Sequence, residues 1–220
     1  GSSDTVNEAA GQGTDVLDFA YVSGSGIDAT ISGTISATYG TSTVSVPIAA
    51  GIDRVRGTSQ SDRFRVSDAA AYAGILDGYG TAGSAFNDMD ILDLSAWTSA
   101  VTVSYLGALD AWFVGSATGT GGVVNLRHVI GGTQGDTLRA GGLPVWFEGR
   151  GGNDTLAGSI QNDLLDSGND ADSLTGSYGD DTLKGGWGSD TLAGGYGNDT
   201  YSFFDLFGTD TIIEIGRAHV

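Results

Sequence analysis

The sequence predicts an all-β fold, namely a parallel β-roll or β-solenoid of stacked nonapeptide repeats, preceded by degenerate solenoid-like repeats with β-hairpin insertions. Three observations lead to this prediction. A nine-residue period runs through the C-terminal half, a longer repeat with an offset of 74 or 75 residues covers the N-terminal half, and segments rich in Thr, Val, Ile and Ser alternate with glycine turns. No ten-residue segment has a clear 3.6-residue period, which argues against helices.

The N-terminal region, residues 1–130, is predicted to be built from two long units, 11–68 and 74–140, that repeat at an offset of about 75 residues; the second unit ends within the nonapeptides. Each unit opens with an Asp-bearing turn and a strand, and each closes on a degenerate nonapeptide. A repeat of this kind predicts a solenoid whose coils share one core. The matching motifs are TDVLDFA (14–20) with MDILDLS (89–95), and IDRVRGTSQSDRF (52–64) with LRHVIGGTQGDTL (126–138).

Two segments between these motifs, residues 27–48 and 100–115, alternate Thr, Val, Ile, Ser and Tyr with glycine turns. β-branched and aromatic residues favour strands, and strict alternation is typical of a strand with one buried face. We therefore predict β-hairpin insertions at both places.

Nonapeptides fill residues 131–202 in a single register. Six consecutive units occupy residues 149–202, from GRGGNDTLA to GGYGNDTYS, and two more lie upstream, GGTQGDTLR (131–139) and AGGLPVWFE (140–148). The second of these carries Val145 where the others carry Asp. The sixth position is otherwise always acidic, and the eighth is always large and apolar. The acidic residues are Asp136, Asp154, Asp163, Asp172, Asp181, Asp190 and Asp199.

Two short segments follow the repeats. We predict a post-repeat segment at residues 203–214. The last six residues, IGRAHV (215–220), are encoded by one reading frame of a common sequencing-adapter DNA, so we interpret them as a non-native tail and exclude them from the fold. The sole Met is Met89, from which we expect the chain to be an excerpt of a longer polypeptide.

A nonapeptide of this composition forms one glycine turn and one very short strand, which is not stable alone. If two units complete a coil, every second unit lies about 4.8 Å above the last. Asp154, Asp172 and Asp190 then stack along one edge and Asp163, Asp181 and Asp199 along the other. Two carboxylates at that spacing repel by about 1 kcal/mol in water and about 3–4 kcal/mol at an effective dielectric constant of about 20. A cation between the coils would remove this repulsion.

The amino-acid composition indicates which cation would lie between the coils. The formal net charge is −18, and the chain has no Cys, so a metal site must be built from oxygen. Ca²⁺ accepts six to eight carboxylate and carbonyl oxygens in tolerant geometry, whereas Mg²⁺ prefers an octahedron and retains water. We therefore expect residues 131–202 to fold on binding Ca²⁺, cooperatively along the stack.

Several function classes are excluded or disfavoured. The acidic balance argues against a nucleic-acid partner, and no apolar run approaches the roughly 20 residues that span a bilayer. Neither H-E-x-x-H nor G-x-S-x-G is present, so we predict no enzymatic activity in this chain. Arg54, Arg56, Arg63 and Arg65 are interpreted as a solvated strand face in preference to a polyanion site.

The nonapeptides resemble the repeats-in-toxin, or hemolysin-type, family, whose GGxGxDxUx repeats form calcium-bound parallel β-rolls. The resemblance implies the seven sixth-position Asp residues as side-chain ligands and about five bound ions. It also implies main-chain carbonyl ligands at Gly185, Gly186, Gly188, Gly194, Gly195 and Gly197. In the N-terminal half the match is weaker, and Asp15, Asp62 and Asp90 are only candidate ligands.

Departures from the family pattern predict weaker or absent sites near residues 140–165. Gln161 and Asp170 replace the fourth-position glycine, Arg150 and Ser159 replace the second, and Val145 replaces a ligand.

The resemblance also implies export by a type I apparatus in an unfolded state, followed by calcium-dependent folding outside the cell. We therefore expect a structural module of a secreted or cell-surface protein. Two alternatives remain open. The chain is either the accessory part of an extracellular protease, lipase or polysaccharide-modifying enzyme, or an adhesin segment that binds glycans or surfaces through its strand-rich insertions.

Overall fold

The structure, a computed structural model, describes most of the chain in several ranges. The predicted tail, 215–220, and part of the second insertion, 106–113, lie outside the described residues. The described residues are 3–5, 14–21, 26–32, 34–39, 42–47, 52–68, 72–79, 89–105, 114–118, 120, 122–203 and 208–214.

The described residues form strands and no helix. The strands are β1 Ser3–Thr5, β2 Val16–Asp18, β3 Asp28–Ile31, β4 Thr34–Tyr39, β5 Ser42–Pro47, β6 Arg54–Arg56, β7 Arg63–Val66, β8 Ile75–Asp77, β9 Asp90–Asp93, β10 Thr102–Tyr105, β11 Val114–Ala117, β12 Gly122–Val124, β13 Leu126–Ile130, β14 Thr137–Arg139, β15 Trp146–Gly151, β16 Thr155–Ala157, β17 Leu164–Asn169, β18 Ser173–Tyr178, β19 Thr182–Trp187, β20 Thr191–Tyr196, β21 Thr200–Ser202 and β22 Thr211–Ile212.

The strands form two sheets, and from β13 onward successive strands alternate between them. The first sheet has the order β1-β5-β4-β3-β7-β9-β13-β15-β17-β19-β21, and the second has the order β2-β6-β8-β12-β11-β10-β14-β16-β18-β20-β22. In the repeats the pairing is parallel and joins residues 18 apart, as Leu165 pairs with Leu183 and Leu156 with Leu174. Two nonapeptides therefore complete one coil, and the prediction of an all-β parallel roll is confirmed.

Both insertions are three-stranded antiparallel meanders. Strands β3, β4 and β5 form one within the first sheet, and β10, β11 and β12 form the other within the second sheet. Corresponding strands of the two long repeats thus lie in opposite sheets, since β2 of the first unit lies in the second sheet while its counterpart β9 lies in the first sheet. Successive long units are offset by half a coil, which the sequence repeat does not indicate.

The core is one continuous ladder of apolar side chains between the sheets. Ala29, Phe64, Leu92, Val129 and Phe147 lead in register to Leu165 and Leu183 on the first sheet, all of them fully buried. The eighth-position residues Leu138, Leu156, Leu174 and Leu192 form the matching ladder on the second sheet. Burial of this ladder is the main apolar contribution to folding.

Replacing Leu165 by Ala is expected to lower the free energy of unfolding of the calcium-loaded protein by about 2–5 kcal/mol, because a fully buried side chain leaves a cavity. Leu164 is the adjacent residue on the outer face of β17 and is only half-buried. Leu164→Ala, the matched control, should lower it by about 1 kcal/mol. Urea unfolding monitored by circular dichroism measures both values. Equal losses would contradict the assignment of inner and outer faces.

The sheets run without a break across residue 130, because β13 pairs with both β9 and β15, and β10 pairs with β14. The predicted division into residues 1–130, 131–202 and 203–214 therefore does not coincide with a break in the sheets. It remains a prediction about which type of repeat each region contains. The described residues contain no helix of the length and apolarity needed to cross a membrane.

Candidate metal centre

Carboxylates form a ladder along each edge of the roll, in the turn just before each strand. On the first edge, which leads into the second sheet, the main-chain N–H of each Asp donates to Oδ1 of the next Asp in the stack. The distances are 2.7 Å from Asp136 to Asp154, 2.7 Å from Asp154 to Asp172, and 2.9 Å from Asp172 to Asp190. The predicted stacking of these residues is therefore present in the structure.

The second edge, which leads into the first sheet, repeats this pattern. The N–H of Asp163 donates to Asp181 over 2.8 Å, and that of Asp181 donates to Asp199 over 3.0 Å. Unit 140–148, with Val145 in place of Asp, is the defective unit. The N–H of Val145 still donates to Asp163 over 2.8 Å. Hydrogen bonds of this kind to a carboxylate are stronger than neutral ones, so the ladder offsets part of the repulsion expected between stacked acids.

One oxygen in most of these carboxylates remains without a partner. Among the described residues, the Oδ2 atoms of Asp154, Asp172, Asp181 and Asp199 are inaccessible to solvent and accept no hydrogen bond. Asp154, Asp172 and Asp181 are at most 4% exposed as whole residues. A buried charged oxygen without a partner is strongly unfavourable, and such atoms indicate an absent ion or proton.

Glycine at the first position of the unit provides the space for this oxygen. A Cβ at Gly149, Gly176 or Gly194 would overlap with Oδ2 of the Asp five residues later in the same unit. In the defective unit both residues change together, since Ala140 stands in place of the glycine and Val145 in place of the Asp. The first-position glycine therefore makes room for a carboxylate, as a metal site built on that carboxylate requires.

Glycines at the second and fourth positions bring main-chain carbonyls close to the next coil. Gly186, Gly188, Gly195 and Gly197 have φ of 87°, 151°, 104° and 142°. A Cβ on any of them would overlap with a carbonyl oxygen of the preceding coil. These are four of the six residues predicted as main-chain ligands.

The other two predicted carbonyl residues, Gly185 and Gly194, are first-position glycines. The Gly185 carbonyl accepts a hydrogen bond of 2.8 Å from Ser167 Oγ. The N–H of Gly194 donates to the hydroxyl of Tyr201 over 2.9 Å.

Three non-glycine residues in the repeats adopt the same left-handed conformation. Arg150 and Ser177 at second positions have φ of 82° and 92°, and Asp170 at a fourth position has φ of 77°. Such angles are unfavourable for residues with a side chain. At these three positions the turn therefore keeps its left-handed shape without glycine.

Asp136 and Asp163 differ from the other predicted ligands, because protein donors satisfy both of their oxygens. Asp136 accepts N–H donors from Val101 and Gly132, and Asp163 accepts them from Val145 and Ser159.

Burial raises the pKa of the candidate ligands in the metal-free protein. Desolvation is the largest cause, and it raises the pKa of Asp154 to about 8 and those of Asp172 and Asp181 to about 7. The pKa of Asp163 rises only to about 6, since backbone donors favour its ionised form. The pKa of Asp136 is also raised by desolvation. Carboxylates with such pKa values at one site are typical of functional positions.

Two buried acids of the N-terminal half are paired with arginine instead. Asp77 and Asp93 are at most 3% exposed; Arg54 and Arg56 approach Asp77, and Arg63 contacts Asp93 at 2.5 Å. These arginines are half-buried ion-pair partners, so the interpretation of a merely solvated face is incomplete. Residues 149–202, by contrast, contain nine Asp but only Arg150 and Lys184 as basic residues.

The three N-terminal candidate ligands, Asp15, Asp62 and Asp90, have different surroundings. Asp90 Oδ1 accepts the N–H of Asp62 over 2.7 Å, so Asp62 and Asp90 belong to the second-edge ladder. Asp62 itself has partners for both oxygens, with donors from Ile27 and Thr58. The N–H of Asp15 donates to Asp53 over 2.9 Å, which makes Asp53 the carboxylate at that step.

Asp210 extends the first-edge ladder beyond the predicted repeats. It accepts the N–H of Asp190 over 3.0 Å, and Gly208 has the left-handed φ of 133°. The offset is 20 residues here, so a search for a strict nine-residue period misses this turn. The motif GTDTI (208–212) was the available signal, because it keeps the Gly, Asp and apolar positions of the repeat.

The residues present fit a hard cation that prefers oxygen ligands. The turns that end at Asp154, Asp172, Asp181 and Asp199 each have a buried carboxylate oxygen without a partner, and in the last three a glycine faces a carbonyl oxygen of the preceding coil. No cluster of three or more His, Cys, Asp or Glu side chains with metal-binding geometry occurs in the described part of the chain. Main-chain carbonyls must therefore supply most of the six to eight oxygens that Ca²⁺ requires.

Comparison with known sequences identifies the repeat. The model of the RTX calcium-binding nonapeptide repeat, a unit of four copies, matches residues 130–165 and again residues 166–201. No curated protein matches the chain.

Proposed function

Residues 130–201 belong to the RTX calcium-binding nonapeptide repeats, and from this premise we propose that the chain is a structural module that calcium folds and stiffens, without catalytic activity of its own. The observation that supports the proposal most directly is the row of buried carboxylate oxygens without partners. A divalent cation would supply the missing positive charge and complete the turns between coils.

The proposed ligands are the carboxylates of Asp136, Asp154, Asp163, Asp172, Asp181, Asp190 and Asp199, together with turn carbonyls around Gly185, Gly186, Gly188, Gly194, Gly195 and Gly197. When bound, calcium would supply the counter-charge for the acidic edges. The chain's own residues fix the carboxylates through the main-chain ladder and shield them from water. About five ions follow if every consecutive pair of predicted Asp ligands binds one.

Calcium titration by calorimetry on chelator-stripped protein tests the proposal. We expect binding of several ions accompanied by a gain of β structure in circular dichroism, and Asp181→Asn should remove at least one ion. Asn retains an oxygen that can accept the N–H of Asp163 but lacks the negative charge, so the ladder remains while the site weakens.

Asp166→Asn is the matched control for this variant. Asp166 lies on the outer face of β17 and is 39% exposed, where it pairs with Lys184 at 3.4 Å. Asp166→Asn removes one negative charge from the same region as Asp181→Asn and should leave the number of bound ions unchanged. A wild-type protein that binds no calcium, or equal losses in both variants, would refute the assignment.

The wider context is also a proposal. The family match supports a secreted or cell-surface protein, because calcium at millimolar concentration is available outside the cell and occupies sites of modest affinity. The module would then serve either as a structural part of such a protein or as the accessory part of an extracellular enzyme. Export of a fusion of this chain by a type I apparatus, compared with export by a host that lacks the apparatus, tests the route.

The adhesin alternative depends on the strand-rich insertions, and the exposed tyrosines of the nonapeptide repeats add little support to it. Tyr178 and Tyr196 are about half exposed, but their rings stack on each other with centroids 4.8 Å apart. A sugar would have to compete with this contact for the ring faces.

A further inference from the structure

We infer that the residue at the fourth position of each turn decides whether the turn binds calcium, and that the turns with Gln at this position close without metal. These turns are 57–62, 131–136 and 158–163, with Gln60, Gln134 and Gln161. The inference rests on the proposed function and removes Asp136 and Asp163 from the predicted ligands.

In all three Gln turns a backbone donor from the second position occupies the carboxylate oxygen that is free elsewhere. The N–H of Thr58 donates to Oδ2 of Asp62 over 2.7 Å, and that of Gly132 donates to Oδ2 of Asp136 over 2.6 Å. The N–H of Ser159 makes the same bond to Asp163. We call these closed turns.

Hydroxyl groups add to this closure in two of the three cases. Thr58 Oγ1 donates to Asp62 Oδ1 over 3.0 Å and accepts the N–H of Gln60 over 3.0 Å. Ser159 Oγ repeats both contacts with Asp163 and Gln161, at 3.2 and 3.0 Å. Each donor directs positive charge at the carboxylate, so a cation at the same oxygen would have to displace it.

The open turns, whose Asp keeps a buried Oδ2 without a partner, have a different backbone at the fourth position. They are the turns of Asp154, Asp172, Asp181 and Asp199. Their fourth residues are Gly152, Asp170, Gly179 and Gly197, and φ is 93°, 77°, 116° and 142° respectively. None of the three Gln residues has a positive φ.

The left-handed conformation explains the difference. Gly adopts it freely and Asp tolerates it, whereas Gln does so at a considerable penalty. A turn with Gln therefore takes another path, in which the second-position N–H reaches the carboxylate.

Residue type at the other well-defined positions does not separate the two kinds of turn, although the backbone of the second position has a positive φ in every open turn and in no closed one. At the second position, Gly occurs in a closed turn as Gly132 and in an open turn as Gly195, and Ser occurs as Ser159 and as Ser177. At the fifth position Asn occurs in both kinds. The first position is Gly in every closed turn and in most open ones.

Closed turns would give the chain fewer ions than the repeat count suggests. One ion for each consecutive Asp pair in the two predicted ladders gives three on the first edge and two on the second. Removing the pairs that contain Asp136 or Asp163 leaves about three ions among the predicted ligands, and the added pair Asp190–Asp210 would make a fourth.

Calcium calorimetry on the full chain with Gln161→Gly tests the inference. Glycine allows the left-handed conformation and should open the turn, so the variant should bind one ion more than the wild type. Hydrogen exchange at the Ser159 amide should accelerate at the same time, because this N–H loses its acceptor. Gln161→Ala is the matched control, since it removes the same side chain without freeing the backbone. It should bind the wild-type number of ions.

The outcomes separate the inference from the function on which it rests. One ion more in Gln161→Gly than in the wild type supports it. No gain in Gln161→Gly overturns the inference while calcium binding stands. If no variant binds calcium, the proposed function itself fails. Should Gln161→Gly not fold, Asp163→Asn decides the matter: an unchanged ion number supports the inference and the loss of one ion overturns it.

Discussion

Removal of calcium at pH 8 is expected to unfold residues 149–202 while much of the N-terminal half stays folded. At that pH most of the stacked carboxylates are ionised. Residues 149–202 carry nine Asp and only two basic residues. Buried like charges that are about 5 Å apart destabilise the fold by several kcal/mol in total. The N-terminal coils keep their arginine ion pairs and two closed turns, those of Asp62 and Asp136, which need no metal.

Hydrogen exchange measured by mass spectrometry with and without chelator checks this expectation segment by segment. Peptides from residues 164–202 should lose protection in chelator, and peptides from residues 52–68 and 89–105 should retain most of it. Full protection of both regions in chelator would contradict the prediction.

Acidification should restore the calcium-free roll. The pKa values of Asp154, Asp172 and Asp181 are raised in the folded state, to about 8, 7 and 7, from an ordinary value of 3.8. The folded state therefore binds more protons than the unfolded state between pH 4 and 8, and stability rises as the pH falls through this window. Circular dichroism in calcium-free buffer should show β structure returning between pH 8 and 5. The same protonation competes with calcium, so apparent calcium affinity should fall over this range.

The sequence predicted the period, the two-unit coil and the apolar ladder, because these depend on the spacing of a few residue types. Leu165 and Leu183 pair because a nine-residue unit with one apolar position can stack in few ways. The stacking of Asp154 on Asp172 follows from the same register. The hydrogen bond from the N–H of Asp154 to Asp172 did not follow, since it depends on the orientation of a peptide group within a turn.

What the sequence did not indicate depends on local backbone geometry and on contacts between distant residues. Gln161 was noted only as a departure from the repeat, although its backbone conformation separates a closed turn from an open one. Asp210 was missed because two inserted residues break the period. The pairing of Arg63 with Asp93 joins residues 30 apart across neighbouring coils, and no local pattern shows such a contact.

Gly186→Ala is expected to destabilise the calcium-loaded roll by about 2–5 kcal/mol, through left-handed backbone strain and steric overlap together. Gly186 has φ of 87°, and an added Cβ would overlap with the carbonyl group of Gly168 in the preceding coil. That neighbour is backbone held in the parallel ladder between β17 and β19, so it has little freedom to move.

Gly151→Ala is the control for this substitution, because Gly151 lies at the third position of its unit and an added Cβ there meets nothing within 4 Å. Its backbone does not adopt a positive φ, so Ala should be neutral or stabilise by about 0.4–1 kcal/mol through lower entropy of the unfolded chain. Urea unfolding at saturating calcium, followed by calcium titration of each variant, measures both effects. Equal stability of the two variants would mean that the coils do not approach each other at the second-position glycines. In that case the carbonyls of successive coils could not act together on one ion.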